Sequence, residues 1–176
     1  IGQIGSGRYS TVHKVLDPDG NIYALKIVKC SNTKAREMYL NEISFLNNNI
    51  DSDRIIRLID YEVTDREIYL ICEHGDTDLR QFIDDSIVTK QNKQLSPNYL
   101  RYLWQQMLFC VQELHSKNAI HGNLRPENFL FVKGSLKLID FGIVKVIQDD
   151  QTSIEDFGIQ LFYNINFSNL QKKSMI

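Results

Sequence analysis

The stretch from His121 to Gly142, HGNLRPENFLFVKGSLKLIDFG, constrains this chain most, because it sets two short apolar runs between two groups of polar residues. Residues 129–132 and 136–139 read as strands on either side of a KGS turn at 133–135. They bracket Asp140, Phe141 and Gly142 on one side and a loop carrying His121, Gly122, Asn123, Arg125 and Asn128 on the other. Polar side chains gathered on loops beside short strands are where a functional site is expected.

The segments upstream decide the class of fold. Residues 9–16 and 22–29 are β-rich runs joined by the turn DPDGN at 17–21, in which Pro18 presets φ and Gly20 supplies a permissive backbone. Residues 33–48 read as a helix with Met38, Ile43, Phe45 and Leu46 on an uneven apolar face, and runs 55–63 and 67–73 read as two further strands. Counting the N-terminal strand turn that carries Gly5 and Gly7, the order is β, β, β, α, β, β. Beyond residue 73 the period becomes helical, with a short helix at 79–84 and a polar loop expected over 86–94. A long helix follows, with Ser96 as N-cap, Pro97 at its first position, and Leu100, Leu103, Met107, Leu108, Val111 and Leu114 as its apolar stripe. The class is α+β.

Composition excludes several functions. A net charge of −2 over 176 residues gives no basic field for nucleic acid or an anionic membrane. No apolar run approaches the roughly 18 to 20 residues that span a bilayer. Cys30, Cys72 and Cys110 are odd in number and lack CxxC spacing, which indicates idle thiols in a reducing, intracellular compartment rather than a disulfide or zinc framework.

Near the N-terminus, Ile4, Gly5, Ser6 and Gly7 precede Ser10 and Val12 in IGSGRYSTV, and bare glycine backbone there lets a phosphate approach closely. Taken alone, this is also how an ordinary hairpin turn reads. Lys26 stands mid-strand in ALKIV, where an unpaired ammonium is unfavourable, and Glu42 on the next helix can supply the opposing charge.

These motifs together resemble a eukaryotic protein kinase, and DRIIRLIDYEVTDREIYLICEHGDTDL, NEISFL, PENFL and LKLIDFGI are similar to the wording of the Mps1 (monopolar spindle) family over residues 1–146. The resemblance implies a two-lobe fold: a five-stranded antiparallel lobe with one helix and the hinge at 1–75, and a shortened, mainly helical lobe at 76–176. It implies ATP and magnesium as cofactors. Gly5 to Ser10 would cover the phosphates, Val12, Ala24 and Leu130 would sandwich adenine, and Lys26 would hold the α and β phosphates. Cys72 falls at the gatekeeper position, with Glu73, His74 and Gly75 as hinge. Asn128 and Asp140 would hold magnesium, and Arg125 replaces the usual catalytic-loop lysine. Leu46, Leu58, Phe141 and His121 match the regulatory spine. The implied partners are protein substrates or kinetochore components, and the implied place is the nucleus or kinetochore.

Three departures bear on activity. Asn123 stands where the family carries the catalytic aspartate, and an amide cannot receive a proton; general-base assistance is worth about 10²- to 10⁴-fold. Gly122 stands where many kinases have an arginine, although the Mps1 family lacks it too. After residue 146 no APE motif appears, and residues 152–165 read either as an activation segment or as a packed helix, the latter favoured by Ile154, Phe157, Ile159, Leu161 and Phe162. Three functions stay open: a pseudokinase that binds nucleotide, a kinase with residual activity, and a degenerate remnant.

Overall fold

The DPDGN hairpin forms as expected, and a five-stranded antiparallel sheet extends from it. A computed structural model describes residues 2–7, 9–30, 32–89 and 95–147. The Asp17 carboxylate accepts from the backbone N–H and side-chain amide of Asn21, both at 2.8 Å, and Gly20 takes a φ of +87°. This turn joins β2 (Ser10–Leu16) to β3 (Ile22–Lys29). With β1 (Gly2–Ser6), β4 (Leu58–Val63) and β5 (Glu67–Glu73), the sheet order is β1-β2-β3-β5-β4. β4 begins three residues later than the run 55–63 suggests, because Ile55 and Ile56 serve a different partner. Ile55 bridges to Leu138, and the Ile56 N–H donates to the Leu138 carbonyl at 2.9 Å.

Helix α1 (Thr33–Asn47) lies against this sheet, capped by Asn32, whose side chain accepts from the Ala35 N–H at 2.8 Å. It buries Ile43, Phe45 and Leu46 in the core shared with Leu58, Ile68 and Leu70.

After a two-residue strand β6 (Thr77–Asp78), helix α2 runs from Leu79 to Thr89, past the expected end at residue 84. No glycine or proline stands in 84–89 to stop it; nearer its start, Arg80 and Asp84 pair at 2.9 Å and the Asp78 carboxylate accepts from the Gln81 N–H. Of the loop expected over 86–94, residues 90–94 lie outside the described residues, as does the segment 152–165. Helix α3 (Pro97–His115) starts at Ser96, whose hydroxyl accepts from the Tyr99 N–H at 3.2 Å. Its buried stripe is Leu103, Met107, Cys110 and Leu114. Leu108, expected on that stripe, is 60% exposed, since it sits about 100° round the helix from Met107, and Cys110 takes the inward place. Among the described residues no helix is long and apolar enough to cross a membrane.

The chain then forms β7 (Ala119–Ile120), a 3-10 turn at Pro126–Asn128, β8 (Phe129–Val132), β9 (Ser135–Leu138) and β10 (Lys145–Val146). β8 lies between β6 and β9, and β10 pairs with β7. Two seams tie this part to the five-stranded sheet. One is the 54–56 backbone on Leu138. The other is Lys137 on β9, which donates to the Glu73 carboxylate at 2.6 Å, while the same oxygen accepts from the Arg57 N–H at 2.8 Å. Between them runs 73–75, and here the chain is crowded: a Cβ on Gly75 would overlap the Leu130 side chain and come 2.8 Å from the Phe131 carbonyl oxygen.

Gly75→Ala is expected to destabilise the fold by about 1 to 3 kcal/mol, because the overlap falls on a packed side chain and on backbone. Gly2→Ala, whose Cβ meets open space, is expected to stay within about 0.5 kcal/mol. Urea unfolding of the two variants side by side checks both.

Candidate active site

Strand register brings the expected residues to one face of the sheet. In β2–β3 pairing Val12 lies opposite Lys26, and in β3–β5 pairing Ala24 lies opposite Cys72 and Lys26 opposite Leu70. Cross-strand partners share a face, and Ala24 and Lys26 share it as alternate residues, so Val12, Ala24, Lys26 and Cys72 form one patch. Gly5 pairs with Val12, which places the glycine turn over the end of this patch. The turn is closed by the Gly7 N–H donating to the Ser10 carbonyl at 2.7 Å, and a Cβ on Gly7 would come 3.0 Å from the Ser10 hydroxyl oxygen. Ile4 and Ser6 flank it on the exposed side.

Lys26 Nζ donates to both carboxylate oxygens of Glu42 at 2.9 Å and stands 3.7 Å from Asp140 Oδ1. Burial alone would pull the ammonium down, but the Glu42 and Asp140 carboxylates outweigh it and hold the Lys26 pKa well above its ordinary value. Glu42 is 3% exposed, so this carboxylate has the lysine in place of water. The Tyr39 ring, one turn before Glu42, lies 5.0 Å from the same ammonium.

Cys72 sits behind this pair. Burial, reinforced by the Glu42 charge, pushes its thiol up to about 12, so it is an inert small side chain rather than a nucleophile. At 73–75, Glu73 is held by Lys137 and the Arg57 backbone as described, while burial lowers the pKa of His74. Leu130 packs onto Gly75.

The polar loop is held from inside by His121, which is 1% exposed. Its Nε2 donates to the Ile139 carbonyl at 2.9 Å, and its Nδ1 accepts from the Asn123 N–H at 3.3 Å. A neutral ring satisfies both bonds, and burial lowers its pKa against the opposing pull of the Ile139 carbonyl and the Asp140 charge. His121 is a packed, hydrogen-bonded structural residue. Its ring also meets Phe141 at 5.1 Å between centroids, and Phe141 in turn stacks on Phe45 at 4.9 Å. Leu46 and Leu58 are buried in the same core, but Phe45 makes the ring stack. Gly122 takes a φ of +77°, and a Cβ there would come 3.2 Å from the Ile143 carbonyl oxygen. The glycine therefore has a backbone reason of its own.

Asn123 accepts at its carbonyl from Asn128 Nδ2 at 2.8 Å and turns its own Nδ2 toward Asp140 Oδ2 at 3.5 Å. Asn128 is buried, and the Ile139 N–H donates to its carbonyl at 3.0 Å, so loop and β9 lock together. Asp140 adopts a φ of +66°, a conformation rare outside glycine, and keeps a side chain that is 46% exposed. Its carboxylate and the side-chain oxygen of Asn128 could hold a hard cation. Arg125, expected near the reacting phosphate, has its Nε on Glu127 at 3.0 Å in an exposed pair.

Three contributors were not anticipated: Tyr39, Phe45 as stacking partner, and Lys137. Lys137 could have been found, because it stands between apolar neighbours in LKLI much as Lys26 does in ALKIV.

The neutral His121 sets a pH dependence. Its folded pKa lies below the unfolded value of about 6.5, so its contribution is complete above that pH and declines as pH falls from there toward the folded pKa. Melting temperature is expected to fall between about pH 7 and 5, with a shallower slope in His121→Phe, which keeps a ring against Phe141 but cannot titrate.

The protein kinase domain family model matches residues 1–164. The chain is 43% identical over 153 residues to a protein named serine/threonine-protein kinase MPS1 from Encephalitozoon cuniculi, 86% of this chain and 25% of that one. It is 42% identical over 155 residues to the dual specificity protein kinase TTK of Mus musculus, 86% of this chain and 17% of that one. It is 45% identical over 155 residues to a probable serine/threonine-protein kinase mps1 of Dictyostelium discoideum, 87% and 15%. The chain thus spans a quarter or less of the length of these curated relatives. With a family model covering most of its length and a five-stranded sheet carrying the lysine, the chain belongs to the protein kinase domain family and is Mps1-like.

Proposed function

We propose that this chain is a nucleotide-binding kinase module, pseudokinase in character, in which phosphoryl transfer is impaired at one position. The observation that carries the reading is the coexistence of an assembled Lys26–Glu42–Asp140 constellation with an amide at Asn123. Lys26, held by Glu42, would bind the α and β phosphates of ATP, the Gly5–Gly7 turn would cover them with backbone N–H groups, and Val12, Ala24 and Leu130 would enclose the base against the 73–75 backbone. Asp140 and Asn128 offer oxygen donors that suit magnesium, which when bound neutralises phosphate charge. Asn123 can hold a substrate hydroxyl by hydrogen bonding but cannot take its proton, so proton loss falls to solvent or to the phosphate itself.

Phosphoryl transfer rests mostly on positioning and charge, which supports a second reading in which slow serine/threonine or dual-specificity transfer persists. The partner in either case would be a protein. The Mps1 likeness points to spindle-checkpoint signalling at the kinetochore of a dividing nucleus, and failure of a tagged chain to concentrate there in mitotic cells would remove that placement.

Saturating magnesium ATP is expected to raise the melting temperature, by an amount corresponding to about 2.7 kcal/mol at one hundred times the dissociation constant, and Lys26→Ala is expected to abolish the rise. No shift in the parent chain would overturn the nucleotide-binding reading. Radiolabelled γ-phosphoryl transfer, with Asp140→Asn purified in parallel, is expected to show no signal above that control. Asn123→Asp is expected to raise transfer by about 10²- to 10⁴-fold if the missing base is the sole defect. A parent signal that vanishes in Asp140→Asn would establish the second reading.

A further inference from the structure

Lys137 takes no part in the Lys26–Glu42–Asp140 cluster, yet its side chain is only 13% exposed and its ammonium donates to Glu73 Oε1 at 2.6 Å. The Glu73 side chain is comparably shielded, so both charges give up much of their hydration to meet. The pair joins β9 to the last residue of β5, immediately before the 74–75 backbone. Glu73 Oε1 also accepts from the Arg57 N–H at 2.8 Å, and the Glu73 N–H donates to the Arg57 carbonyl at 3.0 Å. Strand register shows what else β8 and β9 do here. Lys137 lies opposite Leu130, and cross-strand partners share a face. Leu130 packs onto Gly75, and the Phe131 carbonyl accepts from the Asp76 N–H at 2.8 Å. Residues 73, 75 and 76 are thus each held from β8 and β9, and of these three holds only the one at Glu73 is made by a side-chain charge. A cleft lined by Asp53, Arg54, Lys133 and Ser135 adjoins the pair, so a Glu73 carboxylate deprived of its lysine has water to turn toward.

We infer that Lys137 is a positioning residue for recognition of the nucleotide base: by holding Glu73 it fixes the 73–75 backbone against the base edge and so sets a preference for ATP over GTP. The inference rests on the nucleotide-binding reading above and names a determinant of its base selectivity. Adenine presents an amino donor where guanine presents a carbonyl acceptor, so a backbone placed to match one mismatches the other. Hydrogen bonds weaken steeply with distance and angle, and a displaced segment therefore loses more with the matched base than with the mismatched one. Lys137 acts through Glu73, not on the base itself.

Displacement of mant-labelled ATP from the full chain by unlabelled ATP and by GTP, in excess magnesium, tests this without an activity readout. The parent is expected to bind ATP about tenfold or more tightly than GTP. Lys137→Met, similar in length but uncharged, is expected to weaken ATP by about fivefold and to leave GTP within about twofold, which narrows the ratio. Lys137→Arg, which keeps the charge, is expected to retain the parent ratio. Glu73→Gln is expected to narrow the ratio as Lys137→Met does, with no further narrowing in the double variant, because both changes break one contact. It keeps the test open should Lys137→Met not fold. A parent ratio retained in Lys137→Met or Glu73→Gln would overturn the inference and leave the nucleotide-binding module standing. Equal losses for ATP and GTP would mean a general loosening of the cleft and would overturn the positioning role. A parent that binds ATP and GTP equally would overturn base selection at 73–75. Absence of ATP binding in the parent would overturn the module itself and this inference with it.

Discussion

A lysine placed in the middle of a strand must find a counter-charge, and the rest of this structure is arranged around the way Lys26 finds one. Its partner Glu42 is almost fully buried, so either group alone would be a desolvated charge with nothing to offset it. Satisfying both requires α1 to lie on the sheet at one angle and one register. That placement brings Phe45 over Phe141, sets Phe141 against His121, and so determines where the next residue back, Asp140, presents its carboxylate. The third partner of Lys26 is that same carboxylate. An ion pair in the sheet is thereby coupled, through one stack of rings, to the polar loop on the far side of the cleft.

The loop itself is rigid for reasons unrelated to proton transfer. His121 hydrogen bonds at both ring nitrogens, Asn128 bonds the Asn123 carbonyl, and Gly122 uses a left-handed backbone that leaves room for the Ile143 carbonyl. None of these contacts uses the side-chain terminus of residue 123. An amide at that atom cannot take a proton, while the scaffold that presents it does not depend on which group stands there. This separation of scaffold from chemistry is the physical basis for proposing a binding module.

Much of the fold was legible because it follows from local rules. The DPDGN turn, the strand at 22–29, the cap at Ser96 and the mid-strand lysine each depend on residues close in sequence. The site residues were legible as types at fixed spacing, and register then brought Val12, Ala24, Lys26 and Cys72 together. Errors fell where a residue's environment comes from elsewhere in the chain. Residues 55 and 56 look like the start of β4 but pair with Leu138; α2 continues past residue 84 into the stretch that looks like a loop; Leu108 looks like core but points outward.

By itself, the sequence determined the order of the longer strands and helices, the family, the Lys26–Glu42 partnership and the amide at position 123, because each is written in residue type and short-range spacing. Only the tertiary structure decided that Phe45 rather than Leu46 stacks on Phe141, that Lys137 and the Arg57 backbone pin Glu73, that Arg125 turns to Glu127, and that the Asn123 amide faces Asp140. Those contacts join segments up to 96 positions apart, as in the pair Phe45 and Phe141. Their geometry is set by packing and by the need to satisfy buried charge, which no local pattern encodes.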